Sequence, residues 1–208
     1  MVEFKVCGIT CVEDAEACIS LGASAIGVNL IPESPRVVNV EVARAIARYV
    51  GDRSTVVLVV ANLGTAEALD LLRFTGAGCL QLHGDEPPEA VLALLPRAYK
   101  AVRVATAEDV ARAIAFPGEE LLVDAKVSGK LGGTGQTADW ELVKPLARMR
   151  RLTLAGGLTP ENVGRAIEVV APHRVDVASG VEIPGDPRRK DPDRLLAFSR
   201  VVKSVSPW

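Results

Sequence analysis

Hydrophobic and polar positions follow one repeating unit along the chain. A short apolar run is followed by a glycine-rich or polar turn, and then by a stretch whose apolar residues recur at i, i+3 and i+4. The runs are typical of buried strands and the stretches of amphipathic helices. Strands are predicted over Phe4–Val6, Ala25–Leu30, Thr55–Val60, Cys79–Leu82, Ala98–Val104, Leu121–Val123, Leu152–Ala155 and Val175–Ala178. Helices are predicted over Val12–Leu21, Val40–Val50, Thr65–Phe74, Pro88–Leu95, Ala107–Ala115, Asp139–Met149, Pro160–Val170 and Pro192–Val205.

Local signals mark several helix ends. Thr159 followed by Pro160 offers an N-cap with proline at the first helical position, which predicts a helix start there. The segment from Thr106 to Asp109 has the pattern of a capping box, with acidic residues in the first helical turn. Glycines that follow the apolar stretches are predicted to close helices at Gly22, Gly51 and Gly76.

Eight strand–helix units, with no second composition regime, predict an α/β fold: a single (β/α)8 or TIM barrel domain spanning residues 1–208. An open doubly wound sheet is the alternative, because alternation alone does not distinguish a closed sheet from an open one. In a barrel, ligand-binding and catalytic residues lie on the loops that follow the carboxyl ends of the strands.

Charge and hydropathy bound the classes of partner. The formal net charge is −2 and the pI is about 5.8, so no global positive field attracts nucleic acid or an anionic membrane. No apolar run reaches the roughly 18 residues that cross a bilayer, and residues Met1–Lys5 lack a signal-peptide pattern. We therefore expect a cytoplasmic protein without nucleic-acid or membrane partners. The basic cluster Arg188–Lys190, flanked by prolines and aspartates, predicts a solvated loop.

The cysteines do not fit a metal or disulfide framework. Cys7 and Cys11 have a metal-like spacing, but only two histidines, His83 and His173, exist to complete a site. We therefore expect no metal site. Reduced thiols are expected at Cys7, Cys11, Cys18 and Cys79.

Glycines follow two successive predicted strands near the carboxyl terminus. Gly156 and Gly157 come after the seventh strand, and Ser179 and Gly180 after the eighth. Backbone N–H groups at glycine-rich turns and helix starts bind anions, and barrels often place a phosphate at this position. A single turn of this kind would indicate only a tight bend, but two on neighbouring strands predict a phosphate site.

Charged residues stand at other strand ends. Asp124 ends a very apolar strand, where burial favours the neutral, proton-donating form of a carboxyl group. Lys126 would counter that effect, so the protonation state stays open, and a structural cap is the alternative role. Arg36 follows the second strand in a loop stiffened by prolines, and can either clamp a carboxylate with two hydrogen bonds or be solvated.

Neutral groups complete the candidate site. Gln81 and His83 share one face at the end of the fourth strand, where His83 is either a ligand contact or a satisfied rim residue. Cys7 ends the first strand and, taken alone, is expected to pack like a small apolar residue. His173 precedes the eighth strand and is expected at the opposite end of the barrel.

Taken in order, several motifs resemble one family over the whole chain. They are Lys5–Thr10, Ser34–Arg36, Gln81–Glu86, Asp124–Lys126 with Gly132–Gly135, Leu154–Leu158 and Ser179–Glu182. Each motif is weak alone, but the ordered set is specific. Together they resemble the phosphoribosylanthranilate isomerases of tryptophan biosynthesis.

The resemblance implies an Amadori rearrangement of N-(5-phosphoribosyl)anthranilate to 1-(o-carboxyphenylamino)-1-deoxyribulose 5-phosphate, without metal or organic cofactor. Asp124 matches the family's general acid, which protonates the ribose ring oxygen, and Cys7 matches the general base, which removes the C2 proton. Arg36 matches the position that faces the anthranilate end. The turns at Gly156–Gly157 and Ser179–Gly180 match the phosphate site. The family includes monomers, homodimers and fused forms. Arginine greatly outnumbers lysine here, a pattern compatible with a heat-adapted source, so of the monomer and the homodimer we expect the homodimer.

A free cysteine thiol has a pKa of about 8.5, so it needs help to act as a base near neutral pH. We hypothesise that Lys5, two residues before Cys7 on the same face, supplies a positive potential. Asp176 on the adjoining eighth strand is expected to neutralise Lys5 and to contribute to the substrate site, together with Gln81 and His83.

Three positions depart from the family pattern. Ala178 stands where a serine is expected, and Asn29–Leu30 and Leu131 stand where aromatic residues are common. None of them is the proposed acid or base. Two other interpretations remain open: a different isomerase or lyase on the same phosphate-binding barrel, and a ligand-binding barrel without catalysis. A sugar isomerase of the histidine pathway would show two catalytic aspartates, whereas Cys7 stands on the first strand here.

Overall fold

Eight parallel strands close into a barrel in the computed structural model, which describes residues 1–125 and 140–205. Each strand pairs with its neighbour in chain order, and β8 pairs with β1 with Phe4 opposite Val175. The predicted barrel is therefore confirmed, and the open-sheet alternative is wrong. The strands are β1 Glu3–Cys7, β2 Ala25–Asn29, β3 Thr55–Val60, β4 Cys79–Leu82, β5 Ala98–Arg103, β6 Glu120–Asp124, β7 Arg151–Ala155 and β8 Arg174–Val177.

A helix follows each strand and packs on the outside of the barrel. The helices are α1 Val12–Ser20, α2 Val40–Val50, α3 Thr65–Thr75, α4 Pro88–Leu94, α5 Ala107–Ile114, α6 Trp140–Met149, α7 Val163–Val170 and α8 Pro192–Ser204. Short 3-10 turns occupy Gly51–Arg53 and Ser179–Val181. None of the helices in the described ranges is long and apolar enough to cross a membrane.

The local helix signals are mostly confirmed. Thr106 Oγ1 accepts a hydrogen bond from Asp109 N–H, and the Asp109 carboxylate accepts one from Thr106 N–H, which completes the predicted capping box. Gly76 adopts the left-handed conformation with φ +76° that closes α3. The predicted start of the sixth helix, Asp139, lies outside the described residues.

The predicted start of α7 at Pro160 is wrong. Asn162 Oδ1 accepts a hydrogen bond from Thr159 N–H over 2.8 Å, and Thr159 Oγ1 accepts one from Glu161 N–H over 3.2 Å. These two bonds hold residues 159–162 in a turn, and the helix begins only at Val163. Side-chain bonds of this kind compete with helical hydrogen bonding for the same backbone groups.

A β-hairpin that the hydrophobic pattern does not predict follows β8. Strands β9, Glu182–Ile183, and β10, Asp186–Lys190, pair antiparallel at the carboxyl end of the barrel. Thr10 Oγ1, in the loop after β1, donates to the Arg188 carbonyl over 2.6 Å. The hairpin is therefore attached to the loop that follows Cys7.

The prediction that Arg188–Lys190 forms a solvated loop is confirmed only in part: Arg188 and Arg189 are exposed, but the segment is a strand and Lys190 is not solvated. Lys190 is buried, and its Nζ lies 3.0 Å from Glu182 Oε1. Arg189 Nε lies 3.4 Å from Asp14 Oδ1, and Asp14 Oδ2 accepts from Lys190 N–H. The Asp14 and Glu182 carboxylates balance the charges of Arg189 and Lys190, which composition alone does not reveal.

The main hydrophobic core lies between the barrel and its helices. Phe198 of α8 is fully buried and packs edge-to-face on Phe4 of β1, with ring centroids 6.2 Å apart. A smaller apolar cluster inside the barrel includes Tyr99 and Leu122. At the amino-terminal end of the barrel, Arg174 forms ion pairs with Glu3 of β1 and Glu120 of β6. The charged side chains at this end of the interior are therefore paired.

A pair of phenylalanine variants tests this division between core and surface. Phe198→Ala removes a fully buried ring and should lower the free energy of unfolding by about 3–5 kcal/mol. Phe74→Ala removes a ring that is 43% exposed and contacts Arg44, and should cost at most about 1 kcal/mol. Urea denaturation measures both losses, and equal losses would contradict this packing.

Candidate active site

A cavity of about 380 Å³ opens at the carboxyl ends of the strands. All the predicted site residues except Gly180 line it: Cys7, Arg36, Gln81, His83, Asp124, Gly156, Gly157, Asp176 and Ser179. Gly180 lines an adjoining cavity together with Gly157 and Ser179. The barrel therefore brings together residues that are as far apart in the sequence as Cys7 and Ser179.

Cys7 stands above a buried ion pair that joins the first and last strands. Lys5 is fully buried, and its Nζ donates to Asp176 Oδ2 over 2.8 Å, as the sequence predicts. Burial alone would lower the pKa of Lys5, but the Asp176 carboxylate outweighs it and raises the pKa above its ordinary value. Lys5 is thus a fixed cation that also reaches the Cys7 thiol.

Gly27 of β2 makes room for both groups, and sequence reasoning missed it. A Cβ at this position would lie 2.7 Å from Cys7 Sγ and 3.0 Å from Lys5 Nζ. Gly27 pairs with Cys7 in the sheet. A glycine inside a strand often marks such a close approach, so the available signal was a glycine in the middle of an apolar run.

Asp124 enters the cavity from β6, which β7 and β8 separate from Cys7 on β1. It also lines a second cavity with His83. The carboxylate and the thiol therefore approach the mouth of the barrel from different sides. This leaves space between them for a ligand.

His83 is held in one protonation form by its neighbours. Tyr99 O–H donates to Gln81 Oε1 over 3.1 Å, which turns the Gln81 amide N–H towards His83 Nδ1, also at 3.1 Å. His83 Nδ1 therefore accepts, and its proton sits on Nε2. Desolvation at the barrel mouth, together with the positive charges of Lys100 and Lys5, outweighs the Asp124 carboxylate and lowers the pKa of His83, which favours the neutral ring.

Arg36 lies across the backbone of Gly8 and is held by Glu182. A Cβ on Gly8, whose φ is +78°, would lie 2.3 Å from Arg36 Cδ. Arg36 Nε and Nη2 donate to the two Glu182 oxygens over 2.5 and 2.9 Å. Glu182 therefore occupies the guanidinium edge formed by Nε and Nη2, which could otherwise bind a ligand carboxylate with two hydrogen bonds. The end of the guanidinium, at Nη1, faces away from that pair.

The two glycine turns pack directly on each other. Gly156 and Gly157 have φ values of +102° and +66°, which side chains other than glycine rarely adopt. A Cβ on Gly180 would lie 2.0 Å from the Leu158 carbonyl oxygen. Arg194 Nε donates to the Gly180 carbonyl over 2.8 Å and fixes the second turn.

The remaining titratable candidates lie elsewhere. His173 lies beside Glu3 at the amino-terminal end, with Nε2 3.7 Å from its carboxylate, as predicted. All cysteines are free. Burial raises the pKa of Cys18 and of Cys79 to about 12. Within residues 1–125 and 140–205, no group of three or more His, Cys, Asp and Glu side chains is arranged to hold a metal ion.

Comparison with known proteins identifies the family. A family model described as N-(5′phosphoribosyl)anthranilate (PRA) isomerase matches residues 4–200. The N-(5′-phosphoribosyl)anthranilate isomerase of Moorella thermoacetica is 42% identical over 207 residues, which cover 99% of this chain and 91% of that relative. The chain belongs to the phosphoribosylanthranilate isomerase family.

Solved structures of phosphoribosylanthranilate isomerases have the same architecture. The crystal structure of the enzyme from Thermotoga maritima has a TM-score of 0.88 and 40% identity, and covers 98% of this chain and 99% of that chain. A second isomerase structure, in complex with reduced 1-(o-carboxyphenylamino)-1-deoxyribulose 5-phosphate, has a TM-score of 0.85 and 37% identity with the same coverage.

The departures from the isomerase family pattern fall around the same cavity. Ala178 and Asn29 both line it. Asn29 Oδ1 accepts a hydrogen bond from Ile31 N–H over 2.8 Å, so this side chain shapes the start of the loop that carries Arg36. Leu131 and Lys126 lie outside the described residues.

Gly27→Ala tests whether the space beside the thiol matters. The added methyl group must displace Cys7 Sγ or Lys5 Nζ, so isomerase kcat/KM should fall by about 10²-fold or more, the scale of losing one proton-transfer group. Gly64→Ala is the matched control, because no atom lies within 4 Å of its added Cβ. Steady-state kinetics and thermal melting together distinguish a local effect from unfolding; unchanged kcat/KM in Gly27→Ala would contradict this role.

Proposed function

We propose that this chain catalyses the Amadori rearrangement of N-(5′-phosphoribosyl)anthranilate to 1-(o-carboxyphenylamino)-1-deoxyribulose 5-phosphate in L-tryptophan biosynthesis. Family membership supports this reaction. The observation that carries the proposal is a single cavity that joins the Cys7 thiol, the Asp124 carboxyl group and the glycine turns. An isomerase acting on this substrate needs a base, an acid and a phosphate anchor.

The phosphate end of the substrate is assigned to the two packed glycine turns. The backbone at Gly156, Gly157 and Gly180, together with Ser179, offers N–H and hydroxyl donors at one rim of the barrel. Donors of this kind bind phosphate without a metal ion. Anchoring the phosphate there places the ribose over the barrel axis.

Asp124 is proposed as the general acid of the first step. The substrate nitrogen forms a double bond to C1 as the bond from C1 to the ring oxygen breaks. Asp124 delivers its proton to that oxygen, and the product of this step is an open-chain protonated Schiff base. Supporting this role, Asp124 lines the cavity from the side opposite the base.

Cys7 is proposed as the general base of the second step. The thiolate removes the proton on C2, and the electron pair flows into the C1–nitrogen double bond to give a neutral enolamine. Tautomerisation of the enolamine then moves a proton to C1 and leaves a ketone at C2. Lys5, fully buried two residues before Cys7 on the same face of β1, is proposed to supply the positive charge that favours the thiolate in this step.

Two neighbouring groups are proposed to bind the sugar. Asp176 Oδ1 is buried and, within the described part of the chain, has no hydrogen-bond partner, while Oδ2 is occupied by Lys5. A buried acceptor without a partner is costly, and a ribose hydroxyl would satisfy it. The neutral His83 ring, oriented by Gln81, offers its Nε2 proton to a sugar oxygen.

A cytoplasmic location and a monomeric or homodimeric state, with the homodimer favoured, complete the proposal. Free thiols at all four cysteines support a reducing compartment. The assembly state is measured by light scattering during size-exclusion chromatography.

The activity is tested by mixing the purified protein with N-(5′-phosphoribosyl)anthranilate and following the loss of its fluorescence. Cys7→Ala and Asp124→Asn should each lower kcat by about 10²–10⁴-fold, because each removes one proton-transfer group. Cys79→Ala is the matched cysteine control and should keep full activity. A wild-type protein that binds the product analogue but does not turn over substrate would favour a barrel without catalysis.

The role of Lys5 is tested by alkylating Cys7 with iodoacetamide at pH 7. Lys5→Met should slow the reaction by about tenfold, because the thiolate loses the positive charge proposed to stabilise it. Lys5→Met/Asp176→Asn removes both charges and should be slow as well. Cys18 and Cys79 should stay unmodified in all variants. An alkylation rate at Cys7 that Lys5→Met leaves unchanged would refute the hypothesis.

A further inference from the structure

The hairpin after β8 carries a chain of ion pairs that ends at the cavity. The two Glu182 oxygens each accept one hydrogen bond from Arg36. Oε1, which accepts the bond from Arg36 Nε, also accepts one from Lys190 Nζ over 3.0 Å. Lys190 is 2% exposed and Glu182 is 8% exposed, so their charges are shielded from water. Arg36 is the member of this triad that lines the cavity.

All three members are charged. Burial alone would raise the pKa of Glu182, but the bonds from Arg36 and the charge of Lys190 lower it below its ordinary value. The Lys190–Glu182–Arg36 triad therefore holds two positive charges and one negative charge. Its net positive charge sits at the cavity wall, where a ligand carboxylate would neutralise it.

The geometry of the triad limits how Arg36 can bind an anion. Glu182 occupies the guanidinium edge formed by Nε and Nη2, and the Gly8 backbone supports the aliphatic stem. Among the residues that the structure describes, these contacts leave the outer end of the guanidinium for a ligand. A side chain held at both its stem and its head loses little conformational freedom when a ligand binds.

The hairpin also ties this triad to the surrounding loops. Arg188 Nη1 donates to the Val37 carbonyl next to Arg36, over 2.9 Å, and Asp14 of α1 accepts from Lys190 N–H. Asp191 N–H, at the end of the hairpin, donates to Val181 in the phosphate turn. The position of Glu182 is therefore fixed from three directions.

We propose that Glu182, supported by Lys190, is a positioning residue that presents the end of the Arg36 guanidinium to the carboxylate of the substrate's aromatic ring. Through it, the β9–β10 hairpin determines selectivity for a carboxylated aromatic amine over an uncharged one. This inference rests on the proposed function. Glu182 acts through Arg36 and takes no part in either proton transfer.

The test compares two ligands that differ only in the carboxylate. They are reduced 1-(o-carboxyphenylamino)-1-deoxyribulose 5-phosphate and the corresponding phenylamino compound, and calorimetry gives the dissociation constant of each. The wild-type protein should prefer the carboxylated ligand by about 10- to 100-fold, the range for hydrogen bonds to charged groups. Glu182→Gln should reduce that preference at least about fivefold, while binding the phenylamino compound within about twofold of wild type.

Controls separate positioning from general damage. Glu161→Gln changes an exposed carboxylate on the same rim and should leave the preference unchanged. Glu182→Asp keeps the negative charge but shortens the side chain, so it should also reduce the preference for the carboxylated ligand. This variant replaces Glu182→Gln in the test if Glu182→Gln does not fold. Lys190→Met should shift the preference in the same direction.

The following outcomes would refute either the positioning role of Glu182 or the proposed function. An unchanged preference in Glu182→Gln and Glu182→Asp would overturn the positioning role. Equal weakening of both ligands would also overturn it, because that pattern indicates a structural role only. If the wild-type protein itself binds neither ligand, the proposed function fails instead, so the two failures are distinguishable.

Discussion

The site depends on one buried ion pair, between Lys5 on the first strand and Asp176 on the last. A lysine that is fully buried is tolerated only when a partner offsets its desolvation, and Asp176 does so at 2.8 Å. The two residues face each other in the register that closes the barrel. Closure of the sheet and the charge beneath Cys7 are therefore one structural feature, since neither residue could be buried without the other.

The residues that line the cavity lie above that ion pair. Gly27 leaves space for the thiol and the ammonium group, while the Tyr99–Gln81 chain keeps His83 neutral with its proton on Nε2. At the ends of β7 and β8, on the same rim as Cys7, the two glycine turns pack backbone to backbone. The hairpin then connects the turn at Ser179–Val181 to Arg36 through Glu182. Rigid strands carry the proposed chemistry, and ion-paired loops carry the proposed recognition.

Periodicity predicted the alternation of eight strands with eight helices, and the number of these units favoured a barrel over an open sheet. It also placed Cys7, Asp124 and the glycine turns at the same end of the sheet. What it missed depends on specific polar side-chain contacts. The hairpin has charged strands that are balanced by Asp14 and Glu182, and a start of α7 at Pro160 fails because Asn162 bonds backward to Thr159. Neither event leaves a hydrophobic pattern in the sequence.

In the proposed mechanism, Cys7 lies against the bound sugar, above the Lys5–Asp176 pair. Protection of the thiol by a ligand tests this position: the rate of Cys7 alkylation is followed as reduced 1-(o-carboxyphenylamino)-1-deoxyribulose 5-phosphate is titrated. The rate at Cys7 should fall in proportion to occupancy, while the rate at Cys11, which does not line the cavity, should stay constant. Undiminished alkylation of Cys7 at saturating ligand would contradict it.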